Sequence, residues 1–293
     1  MLHEWVDRHV ERTGPVEVVK DRPWSYVLKV PTATGPVWFK ENRGATRYEA
    51  PLVAALARWL PDRVLTPIAI DAERGWSLLP DGGPILREVA LPKDLQHWER
   101  LLATHAQFQR DVAPHAGELV ALGVPDHRPA AFVGNVARLP ASDALTASMA
   151  DLLALNDTLA ASPVPASLQH DDLHDGNVFA DGRVFDWGDS SVGHPFGVLL
   201  VASRVAADRF EVSDGDPLVL RLRDAYLEPW SDLADRPTML AEVRAAVQLG
   251  KVGRSLSWQR ALADADEDGR SEWGDAVTGW LDELREPGPL ADG

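Results

Sequence analysis

Apolar positions in the first eighty residues come in short runs rather than long stripes. Val16–Val19, Trp24–Val30 and Val37–Lys40 are rich in β-branched or aromatic residues and are separated by proline and glycine, the signature of a strand-rich module. The Pro31–Pro36 segment, with Gly35, predicts the turn of a hairpin. The period then changes. In RYEAPLVAALARWL, Leu52, Ala55, Leu56 and Leu60 fall on one helical stripe, and Pro51 fits only the first turn, where its missing N–H costs nothing. Glu49 therefore opens that helix. Pro67–Ile70 and Trp76–Leu79 predict two further strands, closed by the turn-forming Pro80-Asp81-Gly82-Gly83-Pro84.

Beyond that knot, helical patterns dominate: Lys93–Arg110, roughly Ala144–Ala160, Pro217–Leu227, Met239–Leu262 and Glu272–Leu284. One non-helical island interrupts them, SLQHDDLHDGNVFADGRVFDWGDSS. Within it, Asn177–Ala180 and Arg183–Asp186 flank Asp181-Gly182, a two-residue hairpin signal. There are no repeats and no low-complexity linker. The pattern predicts an α+β protein: a small β-rich lobe over residues 1–80 and a larger, mainly helical lobe over 81–293. A hinge is expected at about 78–84, with the ligand cleft between the lobes.

Charge narrows the partners. Twenty-nine lysines and arginines stand against 45 aspartates and glutamates, a net charge of -16. Such a surface repels phosphate backbones and anionic lipid, so neither nucleic acid nor membrane is an expected partner, whereas a cationic small molecule is tolerated. With no cysteine, disulfides and thiolate metal sites play no part. No apolar run approaches the roughly 20 residues of a membrane span, and the charged N-terminal segment lacks the apolar stretch of a signal peptide. The expected location is the cytoplasm. Oligomeric state is not legible.

The candidate chemistry lies in the island, as His170-x-Asp172-Leu173-x-x-x-Asn177 followed by Asp186-Trp187-Gly188. A loop turning at Gly176 and running into a hairpin places Asp172 towards the cleft and brings the oxygens of Asn177 and Asp186 to neighbouring ends of the hairpin. Two hard-oxygen ligands suit Mg²⁺, which keeps waters and substrate phosphates as its other ligands. A carboxylate that accepts a hydroxyl proton completes the inventory for phosphoryl transfer. The string HDDLHDGNVF…FDWGD resembles the catalytic and metal-binding loops of the aminoglycoside phosphotransferase and choline kinase-like families, which share the protein kinase-like fold. The resemblance implies Asp172 as the catalytic aspartate, Asn177 and Asp186 as metal ligands, and His170 as a loop-bracing residue. It also implies a bilobal kinase-like architecture and transfer from ATP or GTP, with Mg²⁺, to a hydroxyl of a small molecule. Aminoglycosides, amino sugars and related metabolites are the acceptors in view.

The same families expect a lysine on the third strand and a glutamate on the following helix, which are Lys40 and Glu49 here. The nucleotide base is expected against the hinge, on the backbones of Leu79 and Asp81, because Pro80 lacks a donor. Two departures stand out. No Gly-rich cradle separates the first two strands, so Ser25 and nearby backbone N–H groups are the candidates for the phosphates. Asp171 replaces a more usual glycine; its carboxylate is read as facing solvent in preference to touching a cationic acceptor. The acidic stretch Asp264, Asp266, Glu267 and Asp268 is either a solvated loop between two helices or an acceptor-binding wall. Trp258, Trp273 and Trp280 suit helix packing. Other readings are a nucleotide-binding pseudokinase and, through His170 and His174, a metal-dependent hydrolase, although the latter wants its histidines on one helix face.

Overall fold

A computed structural model describes residues 1–90 and 93–290. After a short helix α1 (Leu2–Asp7), the strands β1 (Glu17–Arg22), β2 (Ser25–Thr32) and β3 (Gly35–Asn42), the helix α2 (Glu49–Trp59) and the strands β4 (Ala69–Asp71) and β5 (Trp76–Pro80) follow. They form one antiparallel sheet in the order β1-β2-β3-β5-β4. Alternation sorts β3. Val37 and Phe39 turn into a core with Leu28, Val30, Trp76 and Leu78, which Trp5 of α1 seals. Lys40 lies on the opposite face, as the two-residue period of a strand requires. α2 buries Leu52, Val53 and Leu56 in the larger core instead.

The rest is mainly helical: α3 (Leu86–Val89), α4 (Leu95–Val112), α5 (Ala116–Ala121), α6 (Phe132–Val136) and α7 (Asp143–Ala160), then β6 (Ser167–Gln169) and β7 (Ser191–Gly193), then α8 (Leu199–Phe210), α9 (Pro217–Leu227), α10 (Arg236–Ala261), α11 (Glu267–Trp273) and α12 (Asp275–Asp282). The architecture is the expected α+β one. Two expectations change. The helix read over Glu272–Leu284 is two helices with Gly274 between them. The acidic stretch is also not a free loop: Asp266 caps α11, accepting from the Gly269 N–H at 2.9 Å, while Glu267 and Asp268 occupy its first turn. All three favour the positive end of the helix. α8 was not anticipated. Its buried residues, among them Leu199, Leu200, Ala206, Ala207 and Phe210, nonetheless follow the helical period along one face.

The β6–β7 ladder pairs Ser167 with Gly193 and Gln169 with Ser191, clamping the base of the island between them. Gln109 of α4 fastens the clamp. Its amide donates to the carbonyls of Leu168 (2.9 Å) and Pro195 (3.3 Å) and accepts from the Tyr226 hydroxyl (2.6 Å). A buried amide with every polar atom satisfied fixes register where apolar packing alone tolerates slip.

His105 of α4, 2% exposed, has no hydrogen-bond partner on either ring nitrogen. Burial pushes its pKa down to about 3. Because the folded pKa is depressed, this contribution to stability is present above the unfolded value near 6.5 and is lost as pH falls below it. The chain should lose about 2 kcal/mol from this group between pH 6.5 and 5. Denaturant unfolding of wild type and His105→Leu at several pH values checks this: the variant should show a shallower slope over that interval.

Candidate functional site

Lys40 sits at the centre of a three-part ion cluster. Its Nζ is 2.7 Å from the Glu49 carboxylate and 2.5 Å from Asp186 Oδ1. Glu49, buried in the first turn of α2, also accepts from Asn42 Nδ2 (2.5 Å) and from the Trp187 backbone N–H (3.0 Å). One carboxylate thus joins β3, α2 and the segment after Asp186. Burial alone would strip the proton from Lys40, but the charges of Asp186 and Glu49 outweigh it and raise its pKa. Burial would likewise protonate Asp186; Lys40, and Lys20 with Nζ at 3.8 Å, instead hold it well below the usual carboxylate range. The cluster is therefore fully ionised at neutral pH on its lysine and aspartate.

The second group is local to the loop. Asn177 Nδ2 donates to the Asp172 backbone carbonyl (2.9 Å) and to its Oδ2 (3.1 Å), fixing the aspartate's orientation and leaving the amide oxygen of Asn177 uncommitted. The expected hairpin is present as an antiparallel bridge between Val178 and Val184. The Phe185 N–H bonds the Asn177 carbonyl at 3.0 Å, which brings Asn177 next to Asp186. Asp171 and Asp186 both adopt left-handed backbone, with φ of 59° and 64°. Non-glycine residues in that region concentrate where a site imposes its geometry.

Asp172 is half-buried. Burial pushes its pKa up to about 7; Arg254 opposes that rise, and the charges of Asp189 and Asp186 add to it. Arg254 comes from α10, 7% exposed, with Nη2 4.0 Å from Asp172 Oδ1 and Nη1 3.5 Å from Asp189 Oδ1 and 3.0 Å from the Asp171 carbonyl. Ser257, one turn along α10, donates to Asp189. Neither Arg254 nor Asp189 was singled out from the sequence. The i, i+3 spacing of Arg254 and Ser257 was visible, but nothing in the chain says which loop that face of α10 meets.

The other expected residues are dispersed. His170 is fully buried, its Nε2 2.8 Å from the Phe185 carbonyl and its ring against Trp187, so it braces the loop from below. His174 Nδ1 accepts from the Gly176 N–H at 2.9 Å and lies 3.2 Å from Arg87. The two histidines do not share a ligand position, and among the described residues no group of three or more His, Cys, Asp or Glu is placed to hold a metal. Leu79 pairs with Trp38 inside β5. Asp81 lies just past that strand and accepts from the Trp38 indole at 3.1 Å. Phe179 packs beneath the same segment, so close that a Cβ on Gly82 would meet its ring at 2.2 Å; Phe185 stacks on it at 4.4 Å. These two rings, whose only sequence signal is an apolar character that pins the loop to the core, lie beneath the turn that follows β5.

Asp171 corrects the solvent reading. Its Oδ2 accepts from Ser191 Oγ at 2.5 Å, and burial pushes its pKa up to about 6. Ser25 is buried at the start of β2, opposite Arg22 and Asn42. Asp264 packs against Gly44, and the remainder of the acidic stretch serves α11; among the described residues none of it contacts Asp172. The turn before Ser25 is docked instead on the C-terminal helices. Trp24 meets Trp258 and Trp273 edge-on at 5.5 and 5.6 Å, and Arg22 lies 5.4 Å from the Trp273 ring centre.

The family model described as the phosphotransferase enzyme family matches residues 15–236. Solved structures of similar fold include a macrolide 2′-phosphotransferase from Brachybacterium faecium. It is 20% identical, with a TM-score of 0.59, 94% of this chain covered and 97% of that one. A choline kinase from Streptococcus pneumoniae is 15% identical, with a TM-score of 0.63 and coverage of 100% and 99%. A spectinomycin phosphotransferase solved with ADP and spectinomycin is 13% identical, with a TM-score of 0.53 and coverage of 99% and 95%. At these identities the likeness is one of fold. No curated protein matches the sequence significantly. Among the described residues no helix is long and apolar enough to cross a membrane.

Proposed function

Since the chain belongs to the phosphotransferase enzyme family, we propose that it moves the γ-phosphoryl group of ATP or GTP to a hydroxyl of a small, amine-bearing acceptor. It is a small-molecule kinase. The observation that carries the finer reading is the Lys40–Glu49–Asp186 cluster, charged on its lysine and aspartate, with the Asp172–Asn177 pair held at the other side of the same hairpin.

Each residue has a task that follows from its surroundings. Glu49 and its partners hold Lys40 charged and extended, ready to meet the α- and β-phosphates. Asp186 and the free amide oxygen of Asn177 are the donors for Mg²⁺. The pair fits that ion, which takes one or two protein oxygens and completes its shell with water and phosphate. Bound there, Mg²⁺ would neutralise charge on the phosphate oxygens. Asp172, oriented by Asn177, accepts the proton of the acceptor hydroxyl as its oxygen attacks the γ-phosphorus. Arg254 positions Asp172 and Asp189 without touching the transferred group. The base rests against the Leu79 and Asp81 backbones, with a hinge at about 78–84 between lobes 1–80 and 81–293. Lys20, close to Asp186, joins Ser25 and the β1–β2 turn as the phosphate cover that a Gly-rich loop supplies elsewhere.

Charge supports an amine-bearing acceptor. Asp171, Asp172 and Asp189 gather on one side of the loop, with Arg254 between them, in a chain of net charge -16. A cation entering there meets more carboxylate than guanidinium. ADP release from Mg-ATP across aminoglycosides, amino sugars, choline-like amines and neutral sugars tests this. Acceptor-dependent release confined to amines is expected. Nucleotide binding with no turnover on any acceptor points to a pseudokinase, and failure to bind Mg-nucleotide overturns the reading.

A further inference from the structure

A cavity of about 210 Å³ lies between α4 and the loop that carries the catalytic residues. Its inner wall is Leu101, His105 and Phe108 from α4 and Leu173, Val178 and Val184 from the loop. Five of these six side chains are apolar and all six are buried. The sixth, His105, is 2% exposed and has no partner for either ring nitrogen. Arg63 and Arg100 border the opening, together with His97 and the Asp181 carboxylate, which Arg183 pairs at 2.7 Å. Neither Arg63 nor Arg100 has an ion pair among the described residues, in a chain with 45 acidic side chains to offer.

These features select a kind of occupant. An apolar cavity of roughly 150 Å³ accommodates benzene, so this one has room for a substituted ring. Ordered water needs two to four polar partners, and the inner wall offers one imidazole. A flat apolar body with a single polar atom therefore fits the interior better than a water cluster does. Two unpaired guanidiniums at the opening call for a carboxylate, which they bind with paired, charge-assisted hydrogen bonds. We infer that this cavity is a binding site for a small aromatic carboxylate bearing a hydroxyl or ring N–H at its far end. The carboxylate meets Arg63 and Arg100, the ring packs on Leu101 and Phe108, and the distal polar hydrogen is donated to His105. Neither Asp172 nor Asn177 lines the cavity, although Phe179 borders both it and the turn that follows β5. The site does not depend on the kinase assignment.

4-Hydroxybenzoate is the probe, titrated by calorimetry into the full chain without nucleotide. For a ligand of about ten non-hydrogen atoms, a dissociation constant on the order of 0.1–1 mM is expected. The paired Arg63→Glu and Arg100→Glu substitutions lie at the surface and leave the core intact. They should weaken binding by about ten-fold or more. Benzoate, lacking the distal hydroxyl, and 4-hydroxybenzamide, lacking the charge, should each bind more weakly. Leu101→Trp should abolish binding by filling the space, and Thr104→Trp at the rim gives the same test without touching the core. Saturating Mg-ATP should leave the probe bound. No saturable binding up to about 10 mM, full affinity in the doubly reversed variant, or displacement by Mg-ATP would each overturn the inference.

Discussion

Asp172→Asn should lower acceptor-dependent ADP release by about 10² to 10⁴-fold, the range that a positioned general base contributes. The amide keeps the size of the carboxylate and can still accept from Asn177, so the loop should hold its shape. Affinity for Mg-nucleotide should accordingly change little, by less than about three-fold. That split separates proton acceptance from metal binding, because loss of a ligand would weaken nucleotide binding as well as turnover. In the wild type, burial pushes Asp172 up to about 7 while Arg254 pulls the other way. A base must be deprotonated to act, so turnover should fall as pH drops through and below neutrality, and the residual rate of the variant should lack that limb. Initial rates and nucleotide titrations on both proteins check the prediction; a variant with wild-type turnover would remove Asp172 from its assigned role.

Lys40→Met should act on stability and turnover together. Removing the cation leaves the buried Glu49 and Asp186 facing each other, with Lys20, 3.8 Å from Asp186, as the remaining neighbouring cation. Breaking a buried pair in this way costs about 3–5 kcal/mol. Glu49 retains Asn42 and the Trp187 N–H as donors, which places the loss towards the lower end of that range. Adding Glu49→Gln should restore much of the stability, since a neutral amide no longer needs the lysine, yet should restore none of the turnover. Chemical denaturation of the single and double variants, beside ADP release, distinguishes a cluster built for nucleotide from one that only joins β3 to α2. In the latter case the double variant would recover both.

What the sequence could disclose followed from whether a signal is local. Pro51 fixed Glu49 in the first helical turn, but a lysine ending a strand and a glutamate opening a helix are common, and only the resemblance to the kinase-like families made Lys40 and Glu49 a pair. The spacing from His170 to Asn177, and Asp181-Gly182 as a turn, likewise gave the order of groups along the loop. Arg254 and Asp189 were invisible for the opposite reason. They meet across 65 residues of chain, and an arginine inside a long helix looks the same whether it faces solvent or a catalytic carboxylate. Asp171 was misjudged because a polar loop suggests exposure, whereas β7 supplies Ser191 as a partner that no local pattern announces. The acidic stretch was readable as a solvated loop or as a wall for a cation, and the cap that Asp266 provides for α11 is a local role that composition did not separate from either.

The three-tryptophan contact changes what it takes to open the cleft. In a two-lobed enzyme the turn between the first two strands is a natural shutter, free to lift as nucleotide passes. Here Trp24 of that turn meets Trp258 and Trp273 of the C-terminal helices edge-on, each pair worth about 0.5–1.5 kcal/mol beyond the area it covers. A latch of about 2 kcal/mol leaves the lifted state populated only a few per cent of the time. On the proposed reading, nucleotide passing this edge would have to draw that aromatic bolt, and a turnover limited by product escape would carry its temperature dependence.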